Sequence, residues 1–236
     1  MDAKKYELLK DDYIKAYGRN LYRIRALKEF TTVSDEQINV GDLGGFIERE
    51  GNLSQYGNSW VSGYAMIYGN AEVSGNAEVS GDAEVSDDAE VSGDARVFND
   101  AEVYGNSRVY GNSWVYGNSR VSGHAKVYGD AEVYGDAWVY GNAWVYGNSR
   151  VRGHAEVCGD AEVCGDADYI CVKGIGSVYR NTTFFKTKDN NIGVVCGCFS
   201  GTLAEFEAKV KETHEDSKYA QEYLLAVEMV KVHFDL

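Results

Sequence analysis

A six-residue repeat runs without interruption from Gln55 to Asp168 and constrains the fold more than any other feature of the chain. It contains nineteen consecutive units, of which VYGNSR, VSGDAE and VYGNAW are typical. An aliphatic residue opens every unit except the first, the third position is Gly except at Asp87 and Asn99, and the fifth is Ala or Ser. A short period that buries little alone, yet forms a continuous core when its units stack, predicts a solenoid.

Each position of the unit has a physical role. Four residues form a short strand in which the small and the aliphatic residue face inward and their neighbours face outward. Gly followed by Asn, Asp or His forms a corner, because Gly and Asn tolerate positive φ and Asn or Asp can bond its own backbone.

This pattern resembles the hexapeptide repeat of left-handed parallel β-helix proteins, the superfamily of trimeric acyltransferases. The resemblance implies three units per coil, about six coils in all, and a left-handed winding. We therefore expect a mainly β protein: an N-terminal cap over residues 1–54, a left-handed parallel β-helix over 55–168, and a small α+β domain over 169–236. The leader (about 20–61) and the tail resemble those of uncharacterised bacterial and prophage members, and this implies no known activity.

Three units per coil require residues 18 apart to stack, and the charges support that stacking. One predicted corner column alternates neutral and charged residues: Asn76, Asp94, Asn112, Asp130, Asn148, Asp166. One outward column reads Glu78, Arg96, Trp114, Glu132, Arg150, Asp168, and another places Glu102 above Arg120. Opposite charges on neighbouring strands stabilise a sheet by roughly 0.2–1 kcal/mol per pair.

The flanking segments predict ordinary secondary structure. Residues 3–16 are compatible with a short amphipathic helix, and Leu21–Phe30 with one or two strands. In the tail, strands are predicted at 169–172, 182–187 and 192–199, with a turn at 188–191. Thr202-Leu-Ala-Glu205 predicts a capped helix to about Thr213, and a second helix is expected over about 218–233, with Tyr219, Tyr223, Val227 and Val230 on one face.

The net charge of −14 disfavours direct binding to nucleic acid or to an anionic membrane and favours a basic protein surface. The chain has no Pro, which suits strands with ladder bonds on both sides. Its charged N-terminal stretch resembles neither a signal peptide nor a membrane span. We expect a cytoplasmic protein of a bacterial or phage-infected cell, with its five Cys reduced.

Two outward surfaces are candidates for binding. The first is acidic and lies in the first half of the repeat: Glu72, Glu78, Asp82, Glu84, Asp88, Glu90, Asp94, Asp100 and Glu102. Some of its like charges must stack, such as Glu72 over Glu90 and Glu84 over Glu102, and a basic partner would relieve their repulsion.

The second surface is aromatic and lies in the second half: Tyr110, Trp114, Tyr116, Tyr134, Trp138, Tyr140 and Trp144. These rings could rigidify the solenoid by stacking on one another, mediate contacts between copies of the chain, or stack on a sugar or base. We expect a homo-oligomer, and the resemblance implies a trimer.

Evidence for catalysis is sparse. The related acyltransferases use a His and loops extruded from the coils, whereas here no unit is interrupted, and His124 and His154 occupy corner positions. We expect no catalytic residue, metal or cofactor. The cysteines lack the CxxC spacing usual for zinc, so burial between tail and solenoid is favoured over a zinc site that includes Cys171.

The sequence therefore favours a non-enzymatic binding or scaffold protein that presents these surfaces, or the tail, to a protein partner. One specific form is a phage or mobile-element inhibitor that occupies the basic groove of a nucleic-acid-binding host protein. An acyl-coenzyme A-dependent acyltransferase that uses His124 or His154 is the alternative from another class. A protein that sequesters a small nucleotide at subunit interfaces is a third, and it would need five cations to converge: Arg108, Arg120, Lys126, Arg150 and Arg152.

Overall fold

The structure, a computed structural model, describes residues 4–236. The leader contains β1 (Tyr6–Ala16), β2 (Arg19–Ala26), β3 (Phe30–Thr31), β4 (Gln37–Ile38) and β5 (Leu43–Ile47). The repeat forms β6 (Trp60–Val61), β7 (Met66–Ile67), β8 (Glu72–Val73), β9 (Glu78–Val79), β10 (Glu84–Val85), β11 (Glu90–Val91), β12 (Arg96–Phe98), β13 (Glu102–Val103), β14 (Arg108–Val109), β15 (Trp114–Tyr116), β16 (Arg120–Val121), β17 (Lys126–Val127), β18 (Glu132–Val133), β19 (Trp138–Val139), β20 (Trp144–Val145), β21 (Arg150–Val151), β22 (Glu156–Val157) and β23 (Glu162–Val163). The tail contains β24 (Tyr169–Ile175), β25 (Arg180–Lys186), β26 (Ile192–Cys196), β27 (Phe199–Thr202), α1 (Leu203–His214) and α2 (Lys218–His233).

The repeat folds as a parallel β-solenoid with three strands per coil, as the 18-residue stacking predicts. Val109 pairs with Val127, and Val127 with Val145, each one coil further along the stack. Strands that are three apart in chain order lie on the same face of the solenoid. We call the three faces face 1 (β7, β10, β13, β16, β19, β22), face 2 (β8, β11, β14, β17, β20, β23) and face 3 (β6, β9, β12, β15, β18, β21).

The interior of the solenoid is filled by the first and fifth positions of each unit. The Val and Ala residues there are buried, and each buried Val contributes roughly 1.5–3 kcal/mol before entropy. Where Ser replaces Ala, its hydroxyl finds backbone acceptors: Ser113 Oγ donates to the carbonyl oxygens of Tyr110 (2.9 Å) and Val127 (3.3 Å). A polar residue is therefore tolerated inside the coil because it is hydrogen-bonded.

The corners need both positive φ and a small residue. Gly93 has φ +70°, and a Cβ at that position would lie 2.9 Å from the backbone nitrogen of Gly111 in the next coil. The two exceptions, Asp87 and Asn99, adopt the same left-handed conformation at φ 59° and 61°. The predicted Asn and Asp corner columns form hydrogen bonds between coils, as from Asn112 Nδ2 to Asp130 Oδ1 at 3.0 Å.

Backbone hydrogen bonds between successive corners run in one direction. The N–H of Tyr64 donates to the carbonyl of Gly81 at 2.8 Å, and the N–H of Asn112 donates to that of Gly129 at 2.8 Å. The first coil therefore has corner carbonyl oxygens with no coil before it, and the last coil has amide groups with no coil after it.

The solenoid has about seven turns, one more than the repeat units supply. The additional turn comes from the leader, where β5 pairs in parallel with β7 and Leu53 forms a parallel bridge with Val73. Gly44 and Gly45 lie against the carbonyl oxygens of Val61 and Ala65, where a Cβ would come within 2.5 and 2.7 Å. These glycines are packing positions in the first turn.

The predicted helix at residues 3–16 is wrong. Residue 3 lies outside the described part of the chain, and Tyr6–Ala16 form a strand that pairs antiparallel with β2. The few apolar residues of this segment fit a helix only loosely, and an isolated helix of this length is marginally stable, whereas the strand pairs with β2 and buries Tyr6. Because β2 pairs with β5, the hairpin extends face 1 into a nine-stranded sheet.

The tail is a small α+β unit, as predicted. Its four-stranded antiparallel sheet has the order β24-β25-β26-β27, and the predicted strand 192–199 is divided by a turn at Gly197, φ +60°. The side chains of Phe185 and Val195 pack on the solenoid core, while those of Phe184 and Val194 pack under the helices. The sheet is thus a layer between the last coil and α1–α2.

Both predicted tail helices are confirmed. The Thr202 Oγ1 accepts from the N–H of Glu205 at 3.3 Å, and Glu205 Oε2 accepts from the N–H of Thr202 at 2.8 Å, which completes the expected capping box. Over residues 4–236, no helix combines the length and the apolar character needed to span a bilayer.

Candidate functional site

The acidic residues predicted as a binding surface are distributed over all three faces. Glu84 and Glu102 lie on face 1, Glu72 and Glu90 on face 2, and Glu78 on face 3, while four aspartates lie at the corners between them: Asp82, Asp88, Asp94 and Asp100. Glu84 stacks on Glu102, and Glu72 on Glu90, as the 18-residue spacing predicts. Glu78 is only 5% exposed, which removes it from any contact surface.

Four of the acids converge on one groove. Asp82, Glu84, Asp100 and Glu102 line a groove of about 420 Å³ on the corner and strands of face 1, together with Ile14 of β1, Tyr64 and Met66. No Lys or Arg from the described part of the chain lines it. The structure therefore brings only four of the nine predicted acidic residues together, in one groove beside the β1–β2 hairpin.

Two tyrosine hydroxyls hold Glu84 at the edge of this groove. Tyr17, in the turn between β1 and β2, donates to its carboxylate at 2.9 and 3.0 Å, and Tyr68 donates at 3.1 Å. The hydrogen bond to Glu84 raises the pKa of Tyr17 above its ordinary value. Glu102 accepts from Arg120 at 3.1 and 3.3 Å. Asp82 and Asp100 have no ion pair among the residues that the structure describes.

The predicted aromatic surface is divided among the three faces in the same way. Stacked columns form along two of them, with Phe98, Tyr116 and Tyr134 on face 3 and with Tyr110, Tyr128 and Tyr146 on face 2. Ring centroids in these columns lie 4.8–5.0 Å apart and the ring planes are within 5° of parallel. The ring faces are covered by neighbouring rings, so stacking within the solenoid uses the surface that a sugar or base would need.

The tyrosine hydroxyls also bond within the solenoid, to acids sixteen residues further on. Tyr116 donates to Glu132 at 3.0 Å, and Tyr146 donates to Glu162. Burial and the neighbouring Glu132 raise the pKa of Tyr116 to about 12. The sequence pattern Tyr-x15-Glu therefore marks a structural contact between successive coils.

The three tryptophans have partners within the chain. Trp114 lies 5.2 Å from the Arg96 guanidinium, and Trp144 lies between the ammonium groups of Lys126 (4.7 Å) and Lys188 (4.1 Å). Trp138 donates from Nε1 to Ser122 Oγ at 3.2 Å and packs on Tyr140 at 4.6 Å. Trp114 is 39% exposed and the other two are partly covered.

The two repeat histidines lie on different corners, as predicted. His124 is exposed, whereas His154 lies beside a groove of about 220 Å³ that also includes Arg120 and Trp138. Its Nδ1 is 3.4 Å from Asp136 Oδ2, and Asp136 accepts from Asn118 at 3.0 Å. Only His154 therefore has a carboxylate that could orient its ring.

The five cations considered for nucleotide binding do not converge within the chain. Arg108 and Lys126 stack on face 2, Arg120 lies on face 1, and Arg150 and Arg152 lie on or directly after face 3. Three of them pair with acids of the preceding coil: Arg108 with Glu90, Arg120 with Glu102, and Arg150 with Glu132.

The cysteines are free thiols with different surroundings. Cys158 and Cys196 are buried, Cys171 is partly buried, and Cys164 and Cys198 are exposed. Cys158 is covered by the tail, as the favoured burial between tail and solenoid predicts, with its Sγ 3.8 Å from Ser200 Oγ. Among residues 4–236, His, Cys, Asp and Glu form no group of three or more placed to hold a metal ion.

One surface of the structure was missed at the sequence level. Four aliphatic residues of the C-terminal segment, Leu225, Met229, Val232 and Leu236, are 71%, 45%, 79% and 66% exposed. The spacing of four and three residues places Leu225, Met229 and Val232 on the side of α2 opposite its buried residues, and Leu236 follows the end of the helix at His233. The same spacing was visible in the sequence, but only the buried face was assigned.

Comparison with known proteins adds no assignment: no family model matches the chain, and no curated protein matches it.

Proposed function

We propose that this chain is a non-enzymatic binding protein whose acidic groove docks a basic surface of a protein partner. The observation that carries the proposal is the convergence of Asp82, Glu84, Asp100 and Glu102 in a groove without a lining cation. A basic partner would relieve the repulsion between the stacked Glu84 and Glu102 and would pair with Asp82 and Asp100. The apolar Ile14 and Met66 at the same groove add contact area that is independent of charge.

The test is a charge reversal with a control on another face. Partners are captured from a bacterial lysate by the full chain, purified, and titrated against Asp82→Lys/Asp100→Lys and against Glu72→Lys/Glu90→Lys, which changes the net charge equally on face 2. We expect binding that weakens with salt and is lost only in the first double variant. Equal loss in both variants, or binding indifferent to salt, would reject the groove as the contact.

The specific form that we favour is inhibition of a nucleic-acid-binding protein, in which the acidic groove occupies the partner's basic groove. The net charge of −14 supports this form, because such a partner would be attracted over a long range. The captured partner should then bind DNA or RNA, and added oligonucleotide should displace the chain. Simultaneous binding of both would contradict this form.

We also propose that the chain is a hexapeptide-repeat protein with a left-handed winding, as its resemblance implies, and that it self-associates through α2. Leu225, Met229 and Val232 of α2 follow the spacing of a coiled-coil seam, and a second copy carries the matching seam. The aromatic half is a weaker candidate for this contact, because its ring faces and tryptophans already have partners in the chain.

Light scattering tests the contact. Leu225→Glu/Val232→Glu should lower the mass of the particle to that of one chain, while Trp114→Glu/Trp138→Glu should leave it unchanged. The mass of the unmodified protein reports whether the particle is the trimer that the resemblance implies. A single-chain mass for the unmodified protein would reject self-association.

Acyl transfer is the second candidate, and the pairing of His154 with Asp136 is the observation that favours it. A carboxylate that orients an imidazole is the arrangement of a general base. This candidate requires acyl-coenzyme A to bind the unmodified chain and the binding or turnover to fall with His154→Ala but not with His124→Ala. Failure to bind acyl-coenzyme A would leave the binding-protein proposal alone.

A further inference from the structure

A second groove lies in the tail, away from the surfaces discussed above. It has a volume of about 420 Å³ and is bounded by one face of α1 and by the loops that precede β25 and β27. Its walls include Val178 and Phe199, and its floor includes Phe206, Val210 and Tyr223, which are at most 5% exposed. Unlike the acidic groove of face 1, it is lined mainly by apolar atoms.

The charges at this groove are opposite to those of the protein as a whole. Arg180, Lys209 and His214 are among the lining residues, and no Asp or Glu of residues 4–236 is. Lys209 also bonds Glu212 on the solvent side of α1, at 2.8 Å. Arg180 has no ion pair within the described part of the chain. In a chain of net charge −14, a groove with three basic residues and no acid is suited to an anion.

Two glycines allow the polar groups to lie close to the backbone. Arg180 crosses Gly197, where a Cβ would come within 2.2 Å of its Nη1 atom. The Tyr223 hydroxyl lies against Gly176, where a Cβ would come within 2.0 Å of it. Burial raises the pKa of Tyr223 to about 12, so its hydroxyl stays protonated and can donate at neutral pH. The two glycines thus leave room for Arg180 and Tyr223 beside the backbone at this groove.

We infer that this groove binds a small apolar organic anion, with the apolar part on Phe206 and Val210 and a carboxylate on Arg180. Ligand sites are typically concave and largely apolar, with a few placed polar groups that fix orientation. A guanidinium offers a carboxylate two parallel hydrogen bonds, which makes Arg180 the natural anchor. The inference goes beyond the proposed protein-binding function and does not depend on it.

The experiment uses the full chain and a fluorescent aryl sulfonate, anilinonaphthalene sulfonate, as the probe. We expect saturable fluorescence enhancement that decanoate reverses by competition. Arg180→Gln should weaken the binding of both the probe and decanoate roughly tenfold, because one charge-assisted contact is lost. Thr213→Trp, which adds bulk at an exposed lining position, should abolish binding. The matched control is Arg108→Gln on face 2, which removes one guanidinium outside the groove and should change nothing.

Two results would overturn the inference. One is probe binding that decanoate does not displace or that Arg180→Gln leaves unchanged. The other is binding lost in Leu225→Glu but retained in Thr213→Trp, since this would place the probe on the exposed face of α2. Circular dichroism of each variant, matched to the unmodified chain, shows that loss of binding is not loss of fold.

Discussion

At its N-terminal end the coil stack is closed by hydrogen-bond donors, and at its C-terminal end by acceptors. The buried Lys5 ammonium donates to the carbonyl oxygens of Ser59 (2.7 Å) and Gly57 (3.3 Å). The amide of Asn52, which is fully buried, donates to those of Ala71 (2.9 Å) and Gly69 (3.2 Å). Both side chains replace the backbone N–H groups that a preceding coil would have supplied.

The last coil is completed mainly by oxygen atoms, which come from the end of the repeat and from the tail. The N–H of Arg150 donates to Asp166 at 2.8 Å and that of Glu156 to Thr183 Oγ1 at 3.1 Å. Asp168 accepts from the N–H groups of Cys164 and Gly165 at 3.0 and 2.9 Å. Since corner bonds run from each coil to the next, the chain direction decides which chemistry each end requires.

The two caps also differ in how they are attached. The leader continues the sheet of face 1 through β5 and the β1–β2 hairpin. The tail forms a separate sheet that contacts the last coil by packing, by the isolated bridge between Ala161 and Thr187, and by side-chain contacts such as that of Lys186 with Asp168. Side-chain acceptors therefore carry more of the closure at the C-terminal end.

Exchanging a donor for an acceptor at the N-terminal end should have the largest effect. Asn52→Asp would place a buried carboxylate against the carbonyl oxygens of Gly69 and Ala71, and we expect a loss of about 4 kcal/mol. Asn52→Ala should lose about 2 kcal/mol, because it only leaves those groups unpaired. Urea unfolding measures both. An Asn52→Asp protein as stable as Asn52→Ala would contradict the requirement for a donor.

Removing the central acceptor at the other end should cost about 3 kcal/mol. Asp168→Ala leaves two N–H groups and Lys186, 2.7 Å from its carboxylate, without that partner. Asp168→Asn should lose less, since an amide oxygen still accepts. Asp130→Asn, at an exposed corner, is the control and should be near neutral.

The Asp168 contribution should also disappear in acid. Burial raises the pKa of this carboxyl, but the hydrogen bonds from Lys186 and Cys164 outweigh burial, and the net shift is downward. The stabilisation is present above the ordinary Asp pKa and is lost as pH falls through the lower folded value. The stability difference between the unmodified chain and Asp168→Ala should therefore shrink in acid, and a constant difference would count against the assigned role.

Lys5 predicts a pH dependence of the same sign at the N-terminal end, but in the alkaline range. Burial lowers its pKa to about 8, below the unfolded value of about 10.4. Between these values the unfolded chain binds more protons, so stability relative to Lys5→Met should rise by up to about 1.4 kcal/mol per pH unit. Above about pH 10, the tyrosines whose pKa is raised by folding destabilise the unmodified chain and the Lys5→Met variant alike. The two proteins are therefore compared below that pH. A stability difference between the unmodified chain and Lys5→Met that does not change above pH 8 would show that Lys5 remains charged in the folded protein.

The smallest effect is expected in the middle of the stack. Asn112→Ala removes the bond to Asp130, but the backbone around it keeps its partners in adjacent coils. A loss of about 0.5 kcal/mol is expected, well below that of Asn52→Ala. Thermal unfolding of the two variants side by side checks this contrast between the interior and the end. Comparable losses of stability in Asn112→Ala and Asn52→Ala would mean that side-chain hydrogen bonds at the end of the stack contribute no more than those in its middle.

The repeat could be predicted in detail because its contacts are local and periodic. The strand positions, the 18-residue register, the stacking of Glu102 on Arg120 and the alternation of Asn112 and Asp130 all follow from one spacing. The capped α1 was also predictable, because a capping box acts within four residues.

The candidate sites were less predictable, because a list of residue types does not say which face each residue occupies. Nine acids in one stretch suggested one surface, but a triangular coil sends successive units to different faces. Of these nine, Asp82, Glu84, Asp100 and Glu102 meet, and Ile14 joins them from β1, a segment that had been predicted as a helix. The stacked rings similarly proved to be contacts between coils of the same chain.

The sequence by itself determined the coil, since the same six-residue unit must satisfy the same packing nineteen times and admits one periodic solution. The tertiary structure decided what closes that coil and which side chains converge. Lys5 reaches Ser59 across 54 positions, and Arg180 and His214 meet at one groove from different elements. Such contacts occur once in the chain and have no period, so only the folded path of the backbone brings them together.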